Sequence, residues 1–155
     1  MSKPNPKHLA RSCALQGLYQ WQLTGNDLSD IDQSFAELVA GEQEMGKLNR
    51  GLFDELLHQI PARITELDEA FEPFLDRTAD QLDPIELVIL RMGTYELLFK
   101  PELPYRVAIN EGVELAKEFG AEQSHRYING ILDKLAHKVR AIEVAAKNKQ
   151  RASQG

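Results

Sequence analysis

An almost uninterrupted apolar segment occupies residues 83–99 and reads DPIELVILRMGTYELLF. Asp83 and Pro84 suit the N-cap and first position of a helix, because the carboxylate accepts from free backbone amides and proline needs no donor there. Glu86, three residues after the cap, completes the pattern of a capping box. A helix with so few polar positions is buried around most of its circumference. The segment therefore predicts the central helix of a helical bundle.

Helical spacing also dominates on both sides of this segment, and the two-residue alternation of strands is absent. Glycine and proline residues mark the loops between the apolar stripes. We therefore expect an all-α protein, a seven-helix bundle forming one domain over residues 1–143, followed by a flexible polar tail over residues 144–155. The expected helices run approximately over residues 5–23, 27–38, 43–60, 64–75, 84–99, 105–119 and 124–142.

The composition is that of a globular protein. A chain of 155 residues suffices for one domain of ordinary size with a single hydrophobic core. Hydrophobic residues make up 43% and charged residues 27%, which excludes an intrinsically disordered chain. Cys13 is the only cysteine, so an internal disulfide is excluded. Because no apolar run could span a bilayer and no secretory signal precedes the first helix, we expect a cytoplasmic protein without a membrane association.

The net charge of −6 is unevenly distributed. Residues 1–26 hold three basic residues and no acidic one, while residues 134–155 hold six basic residues and one acidic one. The body between them is therefore strongly acidic. Such a split suits an anionic ligand at the basic ends and a basic partner on the body. The basic residues could equally be solvated charges at the ends of the chain.

No arrangement typical of a catalytic or metal site occurs in the sequence. The histidines lack the spacing of a zinc site, and His8 and Ser12 share a helix face without a third catalytic residue. A glycine-rich phosphate loop is also missing. Cys13 lies on an apolar stripe, where a buried structural thiol is expected. We therefore expect a protein that acts by binding, with no enzymatic activity, cofactor or metal.

Residues 104–133 read PYRVAINEGVELAKEFGAEQSHRYINGILD and predict two helices joined by a tight turn. Asn110 and Gly130 are poor choices for helix interiors. For these two we expect structural reasons, a buried side-chain hydrogen bond or a close helix crossing. His125, Arg126 and Tyr127 differ, because they place a cation and aromatic rings at the start of a helix, whose free amides favour phosphate.

This block strongly resembles the NusB family of bacterial transcription antitermination factors. ARSCALQGLYQWQ at residues 10–22 is similar to the family's first helix, and LVILRMGTYELL at residues 87–98 to its central helix. ILDKLA at residues 131–136 is similar to the last helix. The resemblance covers about residues 3–140 and implies an all-α fold of two packed helical subdomains.

The resemblance implies a function in transcription antitermination. Proteins of this family bind the boxA element of ribosomal RNA transcripts together with NusE, a small ribosomal subunit protein, and join the antitermination complex of RNA polymerase. An acidic body for a basic ribosomal protein and basic ends for RNA agree with this function. The alternative is the RNA-recruiting NusB-like domain of a ribosomal RNA cytosine methyltransferase, which would need a further catalytic domain with its own cysteines.

Two surfaces follow from the resemblance and the residue chemistry. The partner surface is expected on the acidic run over residues 69–86, with Asp80 and Glu86 as the residues that contact NusE. The RNA surface is expected to join the start of the first helix to the start of the last, through cations, a helix N-terminus and aromatic rings. Its residues are Lys3, Lys7, His8, Arg11, Gln16, Tyr19, Gln123, Ser124, Arg126 and Tyr127.

Three departures from the family pattern lie on the expected RNA surface. Residues 7–11 read KHLAR where many relatives carry a dense arginine cluster. Gln123 stands where several relatives have an acid, which removes a charge that repels phosphate. Tyr127 replaces the phenylalanine of the usual FVNG motif and keeps a ring able to stack on a base.

Overall fold

A computed structural model describes residues 5–25, 27–31 and 48–154. All regular structure in these ranges is helical, which confirms the expected all-α class. The two short 3-10 turns are Glu72–Phe74 and Ala79–Gln81. The α-helices are α1 (Pro6–Thr24), α2 (Arg50–Ala62), α3 (Ile64–Phe71), α4 (Pro84–Phe99), α5 (Tyr105–Phe119), α6 (Ser124–Val139) and α7 (Ala141–Gln154).

The chain divides into two compact units, Met1–Ile64 and Thr65–Gly155. In the first unit α1 packs against α2. The approach is close at Gly17, where an added Cβ would lie 3.0 Å from Leu57 Cδ1. The Asn49 amide donates to the Pro6 carbonyl at 3.0 Å, which ties the starts of the two helices together.

The ends of α1 follow the sequence signals. The Asn5 side chain accepts hydrogen bonds from the Lys7 and His8 amides, and Pro6 occupies the first helical position. Gly25 ends the helix with φ of 69°, a left-handed conformation that glycine adopts without strain.

The second and third expected helices lie partly outside the described residues. Residues 28–31 form a helical turn, and the rest of the helix expected over residues 27–38 lies outside the described residues. The helix expected to begin near residue 43 begins at Arg50, because the Asn49 side chain caps it by accepting from the Leu52 amide at 3.0 Å. Pro61 lies inside the last turn of α2 and does not end it.

In the second unit α4 packs against both α5 and α6, as expected for a central helix. Its residues 88–90 and Met92 are at most 1% exposed. Glycines allow the close packing: a Cβ added at Gly93 would lie 2.7 Å from Leu132 Cδ1, and one added at Gly112 would lie 3.0 Å from the same atom. Leu132 of α6 thus fills the space between the two glycines.

Residues 141–154 form helix α7, where the sequence led us to expect a polar tail that leaves helical structure near Val144. Arg140 fixes the start of this helix, since its guanidinium is 9% exposed and donates to the carbonyls of Leu97, Lys100 and Leu103 at 2.8 to 2.9 Å. Glu143 accepts from Arg140 and from the Tyr105 amide, the latter at 2.9 Å. These two side chains join the C-terminal end of α4 to the N-terminal end of α5. The flexibility of residues 144–155 stays a prediction.

Candidate functional site

The start of α6 lies beside the acidic segment that precedes α4. Ser124, the first residue of α6, is 4% exposed, and its hydroxyl donates to Glu86 Oε2 at 3.0 Å. The capping box predicted a hydrogen bond between the Glu86 side chain and the Asp83 amide, but the structure pairs Glu86 with Ser124 instead. Asp83 caps α4 alone by accepting from the Ile85 amide. Gln123 is exposed at the N-cap position of α6.

A second pair of contacts joins the same two segments. The Tyr127 hydroxyl donates to Asp76 Oδ1 at 2.9 Å, and Arg77 Nε donates to the same oxygen at 2.8 Å. The Arg77 guanidinium carbon lies 4.6 Å from the centroid of the Tyr127 ring, a cation–π distance. We call Asp76, Arg77 and Tyr127 the carboxylate cluster.

The charges of this cluster are fixed by its hydrogen bonds. Those from Arg77 and Tyr127 lower the pKa of Asp76. Burial, together with the hydrogen bond to Asp76, raises the pKa of Tyr127. Asp76 is therefore anionic and Tyr127 neutral at pH 7. With the cationic Arg77, the cluster carries no net charge.

Arg126 lies next to this cluster in sequence and is exposed. Across residues 5–25, 27–31 and 48–154, its side chain has no hydrogen bond, ion pair or ring contact. His125, the preceding residue, is half-buried. Of the residues expected at the start of α6, Arg126 is thus the cation best placed to meet a ligand from solution.

The expected RNA residues of the first helix belong to the first unit. Lys7 is exposed and His8 is half-buried with a partner inside the chain. Arg11 is 3% exposed, so its guanidinium is engaged inside the fold rather than presented to solvent. The Gln16 side chain is exposed and donates back to the Ser12 carbonyl at 3.2 Å, while Tyr19 is half-buried. Lys3 lies outside the described residues.

One of the two expected partner residues, Asp80, lines an open groove and is exposed. The groove has a volume of about 530 Å³. Its lining combines apolar side chains with two acids and one cation. The residues that line it are Glu72, Leu75, Arg77, Thr78, Ala79 and Asp80. Glu86 is half-buried and held by Ser124, so Asp80 is the more accessible of the two expected residues.

Sequence reasoning missed Arg77 altogether and counted Asp76 only as one acid of the acidic run. The signal that could have indicated them is the hydroxyl of Tyr127, which the usual phenylalanine lacks and which needs an acceptor. The structural reasons expected for two other residues are wrong. Asn110 is exposed and makes no buried hydrogen bond, and a Cβ added at Gly130 would meet nothing within 4 Å.

The described ranges show no grouping of three or more metal-binding side chains. Cys13 is a buried free thiol, as expected. Among the described helices, none combines the length and apolar character that crossing a membrane requires.

Comparison with known proteins identifies the family. The model of the NusB family matches residues 8–137. Among similar chains, the transcription antitermination protein NusB of Nitrosococcus oceani is 51% identical over 150 residues, covering 97% of this chain and 98% of that protein. The protein of the same name from Chromohalobacter salexigens is 47% identical, with 92% of each chain covered.

Solved structures agree with this result. T. maritima NusB matches with a TM-score of 0.71 and 25% identity, over 86% of this chain and 92% of that one. A structure of the antitermination factors NusB and NusE in complex with double-stranded RNA matches in fold, with a TM-score of 0.67 and 24% identity over 83% of this chain and 93% of that one. The chain belongs to the NusB family.

Proposed function

We propose that this protein is a transcription antitermination factor that binds boxA RNA together with NusE and so helps RNA polymerase read through ribosomal RNA genes. The observation that carries the proposal is the exposed Arg126, which has no side-chain partner among the described residues and precedes Tyr127 in the first turn of α6, in a chain 51% identical to a transcription antitermination protein. The protein acts by binding and not by catalysis, in the cytoplasm, where transcription takes place.

The RNA surface works through charge and stacking. Arg126 in the second unit and Lys7 in the first unit are exposed cations, each able to neutralise a phosphate, and each such contact releases counterions from the RNA. The Tyr127 ring offers a face on which an unpaired base can stack. Gln123 and Ser124 stand at the N-terminus of α6, where the helix dipole favours a phosphate. Because Arg11 is buried, its expected role is to support the α1 surface from inside.

The partner surface works through acidic residues beside apolar ones. Glu72 and Asp80 border the groove of about 530 Å³, and Leu75 and Ala79 form part of its lining. A basic side chain of NusE with an aliphatic stem fits such a site, because the stem buries apolar surface while its charge meets a carboxylate. We therefore propose Asp80, in preference to Glu86, as the residue that contacts NusE.

A titration of boxA RNA tests the proposal directly. The RNA is titrated with this protein alone, with NusE alone and with an equimolar mixture. Because the net charge of −6 opposes a polyanion, we expect weak binding by the protein alone and much tighter binding by the mixture. Tight and sequence-selective binding by the isolated protein, unchanged by NusE, would contradict the proposal.

Two variants then separate charge from stacking in the complex with NusE. Arg126→Gln should weaken binding to all RNA sequences and reduce the salt slope by about 0.7, as for one lost phosphate contact on a single strand. Tyr127→Ala should cost about 1–3 kcal/mol with the salt slope nearly unchanged. Lys117→Gln is a control for Arg126→Gln, because Lys117 is 53% exposed and its replacement removes one charge outside both expected surfaces. If both variants fold and bind boxA RNA like the wild type, the surface at α6 is wrong.

A further inference from the structure

Two hydrogen-bond donors converge on one exposed carboxylate in the second unit. Asp76 Oδ1 accepts from the Tyr127 hydroxyl at 2.9 Å and from Arg77 Nε at 2.8 Å. Arg77 Nη2 adds a longer contact of 3.5 Å to the second oxygen, Oδ2. Both carboxylate oxygens thus face the guanidinium side by side, which is the two-pronged geometry that guanidinium groups form with carboxylates and phosphates alike.

Arg77 does not need the Asp76 carboxylate to compensate a buried charge. The Asp76 side chain is 67% exposed and that of Arg77 41% exposed, so water could hydrate both charges if they separated. Exposed ion pairs of this kind contribute little to folding stability. The two donors, in contrast, are well positioned to bind an anion. Tyr127 is anchored in α6, and Arg77 is held over the face of its ring at 4.6 Å.

From this geometry we infer that Arg77 and the Tyr127 hydroxyl form a phosphate-binding site for RNA, which Asp76 occupies in the protein without RNA. The inference rests on the proposed function, since it assumes that RNA approaches the start of α6. An RNA phosphate enters by displacing the Asp76 carboxylate from the same donors. Because the carboxylate must first give up its hydrogen bonds, Asp76 lowers the affinity for RNA, and Arg77 becomes an RNA ligand only when Asp76 has moved.

The surrounding charges support a competitive role for Asp76. Glu86 also exerts a negative potential on Arg77, although its carboxylate is itself bound by Ser124. Arg126, which precedes Tyr127 in sequence, adds an exposed cation that has no side-chain partner among the described residues. Removal of the Asp76 charge therefore changes the carboxylate cluster from neutral to singly positive beside an existing cation.

The test is boxA RNA binding by the full chain in complex with NusE. Asp76→Asn should bind roughly tenfold more tightly than the wild type, the scale of one hydrogen bond to a charged group. Its salt slope should be steeper by at most about 0.7, because Arg77 then neutralises a phosphate in every complex, whereas in the wild type Asp76 competes for this position. Asp76→Ala, which leaves no acceptor for Tyr127 or Arg77, should show at least the same gain. Unchanged or weaker binding by both variants would overturn the inference.

Two further variants identify the donors. In the Asp76→Asn background, Arg77→Gln should abolish the gain, and Tyr127→Phe should remove part of it while the ring still stacks. A gain that persists in the Asp76→Asn, Arg77→Gln double variant would overturn the assignment of Arg77. These variants keep the aromatic ring, so loss of stacking cannot explain the result.

Asp54→Asn is the matched control. Asp54 accepts from Arg50 at 3.0 Å, and Arg50 lies 5.8 Å from the Phe53 ring centroid, so the same kind of pair exists without a hydroxyl donor. An equal gain in Asp54→Asn would mean a general effect of net charge and would overturn the site. Failure of the wild-type complex to bind boxA RNA would refute the proposed function. Normal wild-type binding without a gain in the Asp76 variants would refute this site alone.

Discussion

Gly130 is exposed in the middle of α6, and a Cβ at this position would have no atom of another described element within 4 Å. Glycine therefore costs helix stability here without allowing any packing in return. We expect Gly130→Ala to raise the free energy of unfolding by about 1 kcal/mol, the difference between the two residues in a helix interior.

Gly93 provides the opposite case on α4. There an added methyl group would lie 2.7 Å from Leu132 Cδ1. We expect Gly93→Ala to lower the free energy of unfolding by about 1–3 kcal/mol, the usual cost of overpacking a core. Urea denaturation of both variants and the wild type measures the two changes, and equal signs would contradict this assignment of the two glycines.

At the level of single residues, the sequence predicts local interactions well and distant ones poorly. Asn5, Gly25 and Asp83 act as the caps that their neighbours indicate, because a cap is defined within a few residues. The hydrogen bond from Tyr127 to Asp76 joins residues 51 positions apart. Nothing in the local pattern around either residue indicates this pairing, so Tyr127 could be predicted as an aromatic platform but not as part of the carboxylate cluster.

Among the helices, α7 depends on Arg140 and Glu143 for its attachment to the ends of α4 and α5. Burial opposes ionisation of Glu143, but the hydrogen bonds from the Tyr105 amide and from Arg140 outweigh it and lower the pKa of Glu143 below its ordinary value of 4.5. A carboxylate with a lowered pKa in the folded state stabilises the fold above its unfolded pKa. That contribution is lost as the pH falls through the folded pKa.

We therefore expect Glu143→Gln to lower the free energy of unfolding at pH 7 and to have a smaller effect near pH 3. The comparison requires urea denaturation of the wild type and the variant at both pH values. Glu114→Gln serves as the control, because Glu114 is 58% exposed and its ion pair with Lys117 is long, at 3.6 Å. A difference between wild type and Glu143→Gln that grows as the pH falls would contradict the assigned role.

The helices with apolar stripes were predictable, and the last one was not. The apolar spacing of α4, α5 and α6 is visible in the sequence because these helices contribute buried apolar residues to the core. Helix α7 has exposed residues over most of its length and Val144 as its buried apolar contact, so its sequence resembles that of a polar tail. Arg140 looked like one of several C-terminal cations, whereas the structure uses it as a buried donor to backbone carbonyls.

For the molecule as a whole, the separation of charge along the chain is the reason that we propose different residues for RNA binding and for partner binding. The acidic body contains the run over residues 69–86, where Asp80 is exposed in a 3-10 turn and its side chain makes no hydrogen bond or ion pair with the described residues. We expect Asp80→Lys to weaken NusE binding by about tenfold or more, because like charges facing each other in an interface cost several kcal/mol. Calorimetric titration with NusE measures the change.

Glu102→Lys is the matched control, since Glu102 is 70% exposed and its substitution gives the same charge reversal outside the groove. Both variants should keep the wild-type circular dichroism spectrum. If Asp80→Lys and Glu102→Lys reduce NusE affinity equally, the effect belongs to net charge and the groove is not the partner site.

The hydrogen bonds from Arg140 to carbonyls at the end of α4 can form only late in the synthesis of this protein. Leu97 lies in the last turn of the central helix, 43 residues before Arg140. At about 5–20 residues per second, translation needs about 2 to 9 s after Leu97 to supply that donor. The C-terminal carbonyls of α4 therefore gain this donor only after α5 and α6 have been synthesised, so the second unit closes late in translation.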